Sequence, residues 1–388
     1  MNKLELKQRF IELFGEDSTK NIRYFYAPGR VNIIGEHIDY SGGHVLPCGL
    51  NMGTYALILK RDDDNIRFAS INSSYVIEVC LNDIKYEIAH NWANYPKGIV
   101  HLMQADGKAV GGFDVLFYGN MPHGAGLSSS ASLEIVLASA LNNVFALGYT
   151  MLDLIKLSQK CENDFCGINC GIMDQFAIGM SKKDNAILLN CNTLDYSYIK
   201  LDTLAGYKII IMNTNKKRKL SESKYNIRRK ECEQALSFLQ KSHNIKYLAQ
   251  LSPETFLKYQ GLIKNKIAKN RAKHVVYENN RVHLASKALV NGDIEQLGEL
   301  LQRSHMSLSK DYEVSCVELD TIVDEALKIE GCIGARMTGA GFGGCAIALV
   351  KNDNVKYFSK KIVDKYTDII GYAPSIYIQE SGEGPNEI

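Results

Sequence analysis

The chain contains no uninterrupted apolar run of about 18 residues, so the sequence offers no helix long enough to cross a bilayer. Residues 1–17 mix Lys, Glu and Arg with apolar positions at helical spacing and lack the continuous apolar stretch of a secretory signal. A cytoplasmic protein with no membrane partner is therefore expected. An excess of charge of one sign is also missing: 45 basic and 43 acidic side chains nearly cancel, which removes any global argument for a nucleic-acid or membrane-surface partner. Paired CxxC motifs are absent. Ten cysteines scatter from Cys48 to Cys345, and although Cys161, Cys166 and Cys170 lie close together, their spacing is not that of a zinc site. In a reducing compartment they read as small core residues. Proline is scarce, at seven residues, and no Ser-rich linker or internal repeat breaks the chain.

What is present is the composition of a folded protein, 46% hydrophobic and 23% charged, with enough apolar surface to offset the entropy of ordering. A length of 388 residues suits two domains with a cleft between them. Composition does not mark the division, which is placed at 180–200 and taken as 1–190 and 191–388. A monomer is expected.

Residues 2–14 show the periodicity of an amphipathic helix. Short β-rich runs follow at 24–27, 54–60, 66–70, 76–81 and 113–117. Apolar residues recurring at three and four predict helices over 131–147 and 151–165. Beyond residue 200 come a strand at 207–212, long helical patterns at 222–241 and 278–303, and a strand at 345–350 after a glycine-rich turn. Both halves read as α+β.

The segment 121–134 is the most informative. A β run ends at Tyr118, and Gly124-Ala125-Gly126-Leu127-Ser128-Ser129-Ser130 then leads directly into an amphipathic helix. Glycines let backbone N–H groups approach an anion, the helix start presents unpaired donors and a positive dipole end, and the serines add hydroxyls for phosphate or Mg²⁺. A serine-rich N-cap after a tight turn explains the same residues. No Lys-Ser or Lys-Thr pair follows the glycines, so this is not a Walker loop. A second run, Gly339-Ala340-Gly341-Phe342-Gly343-Gly344, contains GxGxxG but precedes an apolar β run rather than a helix, which excludes a Rossmann turn. It suits a turn packed against a ligand or another backbone, or a plain β-hairpin.

Two further clusters carry charge. Residues 28–40 crowd Arg30, Glu36, His37 and Asp39 among Val31, Ile33 and Ile34. Carboxylates there can accept hydrogen bonds from vicinal hydroxyls, and Arg30 can neutralise a transferring phosphoryl group; a salt-bridged turn is the alternative. In Gly171-Ile172-Met173-Asp174-Gln175-Phe176 a lone carboxylate sits among apolar neighbours, either as a helix cap or as a proton acceptor. Glu162, on the preceding predicted helix, is a candidate metal carboxylate, although most helix glutamates are simply solvated.

Together these segments resemble the GHMP small-molecule kinases. PGRVNIIGEHIDYSGGHVLP at 28–47 is similar to the signature of the galactose branch, PHGAGLSSSAS at 122–132 resembles the family's phosphate loop, and MTGAGFGGCAIAL at 337–349 its third motif, with GIMDQF and KYNIRRKEC between them. The resemblance implies an α+β, two-lobed fold: an N-terminal lobe like the second domain of ribosomal protein S5, a ferredoxin-like C-terminal lobe, and the active site in the cleft. It implies transfer of the ATP γ-phosphoryl group to the C1 hydroxyl of α-D-galactose, with Mg²⁺, giving galactose 1-phosphate and ADP at the entry to galactose catabolism. By the same analogy Asp174 would face the anomeric hydroxyl as base or proton acceptor, and Arg30 would keep it ionised and stabilise the transition state. Glu36, His37, Ile38, Asp39 and Tyr225 would contact the sugar. Gly124, Ala125, Gly126, Leu127, Ser128, Ser129 and Ser130 would hold ATP with Ser70 near the nucleotide, and Ser130 and Glu162 would hold Mg²⁺.

Ile38 departs from the Thr usual in the signature, and 381–383 lack the family's Gly-Ala ending. Rival readings are a kinase for another sugar, such as N-acetylgalactosamine or arabinose, and a silent galactose sensor acting through a protein partner. Such silence is associated with loss from the serine loop, which is intact here at 128–132. The cations of 215–229 read as a solvated face or a field that attracts ATP rather than a nucleic-acid site.

Overall fold

Along the strand Pro47–Lys60, Ala56 and Ile58 enter one core while Leu57 between them enters another. Successive side chains of a strand point to opposite faces, so this alternation means the sheet is covered on both sides. The smaller core is Leu57, Ala69 and Leu116 under Leu6 and Phe10 of the helix Lys3–Phe14. That helix begins at Asn2, whose side chain and that of Glu5 cap each other's backbone N–H groups. The larger core lies on the opposite face, beneath the helices Ser129–Val144 and Met173–Gly179, with Met151–Lys160 packed against both.

The protein is described from a computed structural model covering residues 1–15, 21–122, 126–216 and 221–388. The first sheet has the spatial order Asn386–Glu387, Arg23–Asn32, Pro47–Lys60, Phe113–Gly119, Asn65–Ser70, Ile77–Cys80. Neighbours are antiparallel except Asn65–Ser70 and Phe113–Gly119, which run parallel because the helix Asn94–Ala105 makes the crossover between them. Both long strands exceed the expected spans 24–27 and 54–60. Strand Arg23–Asn32 continues through Pro28 with a register shift between Pro28 and Arg30, and a bulge is where a strand tolerates a residue without an N–H. Strand Pro47–Lys60 starts earlier than expected because Gly49 and Gly53 read as breakers but are needed for closeness: a Cβ at Gly53 would sit 2.0 Å from the Ala27 carbonyl oxygen.

A second, antiparallel sheet has the order Cys332–Met337, Cys345–Lys351, Tyr207–Asn213, Ser375–Gln379. In chain order this is second, third, first, fourth, with helices between first and second and between third and fourth, which is the ferredoxin-like arrangement. The ferredoxin-like C-terminal lobe expected from the resemblance is thus present. A three-stranded sheet, His44–Val45, Asn185–Asn190 and Tyr196–Lys200, joins the halves. The expected division at 190/191 falls inside its hairpin, and strand Asn386–Glu387 returns the chain's end to the first sheet.

The predicted helix 278–303 is instead two helices, Lys266–Asn291 and Ile294–Lys310. Gly292, at φ +75°, closes the first in a left-handed C-cap, and Asp293 opens the second by accepting the Gln296 N–H. No helix among the described residues is long and apolar enough to cross a membrane.

Helix Ile294–Lys310 lies directly on strand Cys332–Met337 through two glycines. A Cβ on Gly298 would sit 2.2 Å from the Ile333 oxygen, and one on Gly334 would sit 2.7 Å from the Gly298 Cα. The obstacle in each case is backbone, which cannot swing away. Gly298→Ala and Gly334→Ala should each lower stability by about 2 kcal/mol, the cost of overpacking a closed contact. A shift of the urea unfolding midpoint measures this, and an unshifted midpoint would show that the helix can ride off the strand.

Candidate active site

Arg30 leaves its strand just past the bulge and is almost wholly buried. Its Nε and Nη2 donate to Asp174 Oδ1 and Oδ2 at 2.8 and 2.9 Å, a two-point fork, while Nη1 donates to the Gly126 carbonyl at 2.9 Å. Burial by itself would lower the guanidinium's pKa, but the carboxylates of Asp174, Glu36 and Asp39 outweigh that and raise it. Asp174 lies in the first turn of Met173–Gly179 and does not cap that helix. It also accepts the hydroxyl of Ser128. Three segments remote in sequence therefore meet at one carboxylate.

Ser128 does not act as a capping serine. It is the N-cap of Ser129–Val144, yet its side chain makes no capping hydrogen bond, and its backbone takes the left-handed conformation at φ +59°. Its hydroxyl is turned to Asp174 instead. Ser132, one turn on, is structural: fully buried, it donates to the Ala27 carbonyl and to Thr54 Oγ1.

A cavity of about 290 Å³ opens beside this cluster. Of the residues singled out from sequence, Arg30, Glu36, His37, Asp39, Ser130, Glu162, Asp174 and Tyr225 all line it. Ile38 does not: it is fully buried, with its side chain against Gly43. Leu127 is in the core, Ser129 is exposed at the helix start, and Ser70 ends the strand Asn65–Ser70, where its hydroxyl accepts the Asn72 N–H outside the cavity. Gly126 takes part through its carbonyl. Gly124 and Ala125 lie outside the described residues, as do Lys217, Arg218 and Lys219 of the basic segment.

Two of the carboxylates that line the cavity with Asp174 are destabilised as anions, Asp39 and Glu162. Burial pushes Asp39 up to about 6, with the charges of Asp174 and Glu36 adding to it. Burial likewise pushes Glu162 up to about 7, partly offset by the Ser130 hydroxyl and reinforced by Asp174. Glu162 reaches inward because the expected helix 151–165 changes at Cys161 into a π-helical turn, Cys161–Phe165. Asp39 is seated against Gly171, where a Cβ would lie 1.8 Å from its Oδ2.

His37 is buried and its pKa falls to about 4, chiefly through desolvation, so the ring is neutral at ordinary pH. Its Nε2 lies 3.1 Å from the Ala340 carbonyl, which can only accept, so Nε2 carries the proton and Nδ1 accepts from the Tyr40 hydroxyl at 2.9 Å. Tyr40 is then held by Tyr312 at 2.7 Å, and Tyr312 by Cys232 at 3.1 Å. Both ring nitrogens are thereby occupied, leaving the ring's edge and face to the cavity, where Tyr225 stands 5.5 Å away.

The glycine turn 339–344 connects two strands of a hairpin and also packs on backbone, so both structural readings of it meet. A Cβ on Gly339, at φ +78°, would sit 2.9 Å from the Gly126 oxygen, and the Gly339 N–H donates to Glu36 at 2.7 Å. Sequence reasoning missed Tyr95, Cys170, Met173 and Asn226, which also line the cavity. Tyr95 carries no local pattern and Cys170 stands out only for a spacing that does not fit zinc, whereas Met173 and Asn226 could have been found as neighbours of Asp174 and Tyr225.

Comparison with known proteins agrees with this geometry. Residues 8–60 match the galactokinase galactose-binding signature, 94–182 the GHMP kinases N-terminal domain and 285–363 the GHMP kinases C-terminal domain. The chain is 55% identical over its full length to galactokinase of Clostridium tetani, covering 98% of that protein, and 49% identical to that of Bacillus subtilis, with 99% of this chain and 98% of that one aligned. The crystal structure of Lactococcus lactis galactokinase complexed with galactose superposes with a TM-score of 0.96 at 45% identity, covering 99% of each chain. Mevalonate kinase of Methanococcus jannaschii, at 20% identity and a TM-score of 0.67 over 94% of this chain and 99% of its own, shares the fold. With relatives this similar along its whole length, the chain belongs to the galactokinases, a branch of the GHMP kinases.

Proposed function

We propose that the chain carries out the reaction of its family, moving the γ-phosphoryl group of ATP to the C1 hydroxyl of α-D-galactose, with Asp174 facing that hydroxyl and Arg30 beside it. The observation that supports this most is the convergence of the Arg30 fork and the Ser128 hydroxyl on the Asp174 carboxylate, which with Arg30 lines a cavity of hexose scale. In the transfer the C1 oxygen forms a bond to Pγ as the bond from Pγ to the β–γ bridging oxygen breaks. The hydroxyl proton passes to Asp174. Arg30 fixes the Asp174 carboxylate through its two-point fork and offers positive charge toward the transferring group. Glu36, Asp39 and Tyr225 supply hydrogen-bonding partners for the remaining hydroxyls, and His37 supplies an apolar ring surface.

The phosphates belong at the start of Ser129–Val144, whose first N–H groups Ser128 leaves uncapped. Ser130 and Glu162 fit a Mg²⁺ ion: both are hard oxygen donors on the cavity wall, and a carboxylate raised to about 7 by burial is one that a cation would relieve. When bound there, the ion supplies charge neutralisation on the phosphates. Domains 1–190 and 191–388 would then contribute the two sides of the cleft. Galactose is the favoured sugar over the alternatives because the match at 8–60 is to a galactose-binding signature.

Purified protein with ATP and Mg²⁺ should release ADP on adding galactose, and far more slowly with glucose, arabinose or N-acetylgalactosamine. Absence of galactose-dependent ADP release would refute the reading. Asp174→Asn should lower kcat by at least about a hundredfold, as expected for loss of a positioned proton acceptor, while calorimetry still detects galactose binding. Unchanged turnover in that variant would remove Asp174 from the chemistry.

Asp39, with a folded-state pKa of about 6, is protonated below that pH and then loses its capacity to accept from sugar hydroxyls. Galactose kcat/KM should therefore fall as pH drops through about 6, and Asp39→Asn should flatten that limb. A limb that survives the substitution belongs to another group. Glu162→Ala should raise the Mg²⁺ concentration needed for half-maximal rate, and an unaltered Mg²⁺ titration would take Glu162 out of the metal site.

A further inference from the structure

Glu36 lines the cavity, yet one of its two oxygens is already consumed from behind. Oε1 accepts the Gly339 N–H at 2.7 Å and the Thr338 hydroxyl at 2.9 Å, and lies 3.1 Å from Arg336 Nη2. Both donors and the guanidinium come from one short run, 336–339, which lies about 300 residues along the chain from Glu36. Arg336 is fully buried on the strand Cys332–Met337. Its Nη1 donates to the carbonyls of Asn32 and Ile33 at 2.8 and 2.9 Å, at the end of the strand that carries Arg30. Its Nε and Nη2 make no hydrogen bond of good geometry.

An arginine buried with two of its three nitrogens so poorly served is a poor device for stability. A packed apolar side chain of similar volume would cost less, since the guanidinium loses its hydration and recovers only part of it. What the charge does achieve is local. It faces Glu36 Oε1 in a dry wall and fixes which oxygen is spent inside the protein, leaving Oε2 to address the cavity. The same guanidinium grips the strand end next to Glu36, so the carboxylate and the backbone that bears it are set by one group.

We infer that Arg336 is a positioning residue for sugar recognition, orienting the Glu36 carboxylate toward the galactose hydroxyls without touching the sugar itself. The inference rests on the sugar role of Glu36 given above. It separates Arg336 from the phosphate-binding side of the cleft: galactose KM should respond and ATP KM should not.

The test measures kcat and both KM values for Arg336→Met, Arg336→Lys, Glu36→Gln and the double variant Glu36→Gln/Arg336→Met, with urea unfolding to establish folding. Loss of one charge-assisted contact to a binding carboxylate predicts a galactose KM raised about tenfold or more in Arg336→Met, with kcat and ATP KM nearly unchanged. Arg336→Lys should recover part of the loss, and Arg336→Met should add little in the Glu36→Gln background, because both changes disable the same oxygen. Should Arg336→Met fail to fold, Thr338→Val removes another donor to Oε1 and should raise galactose KM alone. Galactose KM unmoved in both the Arg336 and Thr338 variants, or effects on galactose and ATP that are equal and additive with Glu36→Gln, would overturn the inference while leaving the role of Glu36 intact. An unchanged galactose KM in Glu36→Gln itself would overturn that role and this inference with it.

Discussion

A guanidinium taken out of water costs several kcal/mol unless an opposite charge meets it with good geometry, and the fork from Arg30 to Asp174 meets that condition. The rest of the site follows from it. Arg30 is carried past a bulge in the first sheet, Asp174 by a short helix on that sheet, and the third Arg30 nitrogen reaches Gly126 in the glycine loop. Arg30 alone would be an unpaired buried charge, so the pair draws the strand, the loop and the helix into one position. The side chains are unequally exposed, 4% for Arg30 and 33% for Asp174, so the carboxylate keeps a face open to the cavity while the cation behind it is sealed.

The wall that carries Glu36 is built by a different logic, from contacts across the two halves. Glu278 of the helix Lys266–Asn291 accepts the Gly35 N–H at 3.0 Å, and His274 on the same helix face lies 3.0 Å from the Glu36 carbonyl. Burial lowers His274 to about 4, so it is neutral; its Nε2–H donates to Glu36 and its Nδ1 accepts from Ser307. The backbone of the segment 35–36 is thus held by the long helix and the Glu36 side chain by 336–339. A loop fixed at this many points loses little further entropy on binding, which is the value of preorganisation. On the proposed reading, the large second half thus positions the sugar-binding carboxylate as well as closing the cleft.

Much of this was legible in the sequence where chemistry and local pattern coincide. Arg30, Glu36 and Asp39 announced themselves as charges crowded among Val and Ile, and Asp174 as a carboxylate in apolar company. Strands with clean alternation were found, while the extensions through Pro28, Gly49 and Gly53 were not, since residues that usually break strands serve here as a bulge and as close-approach points. The break at Gly292 vanished under an apolar periodicity that happens to stay in phase across it. Arg336, His274 and Glu278 carried no signal at all. Each is an ordinary polar residue in a regular element, and its role exists only because folding brings a distant backbone to it.

Ser128 shows why binding and chemistry are not separable here. A non-glycine residue in the left-handed region costs about 1 kcal/mol or more, and an N-cap serine that declines to cap forgoes a further contribution of similar size. That strain persists because neighbours over-determine it: Leu127 accepts the Arg30 N–H through its carbonyl, and the Ser128 hydroxyl is engaged by Asp174. Two consequences follow together. Among the described residues no side chain caps the helix start, whose N–H groups are on the proposed reading offered to ATP phosphates, and the Asp174 carboxylate gains a donor that fixes its orientation. A conventional cap would satisfy the helix and release the carboxylate, so the strain at this one residue couples the anion cradle to the acceptor it serves.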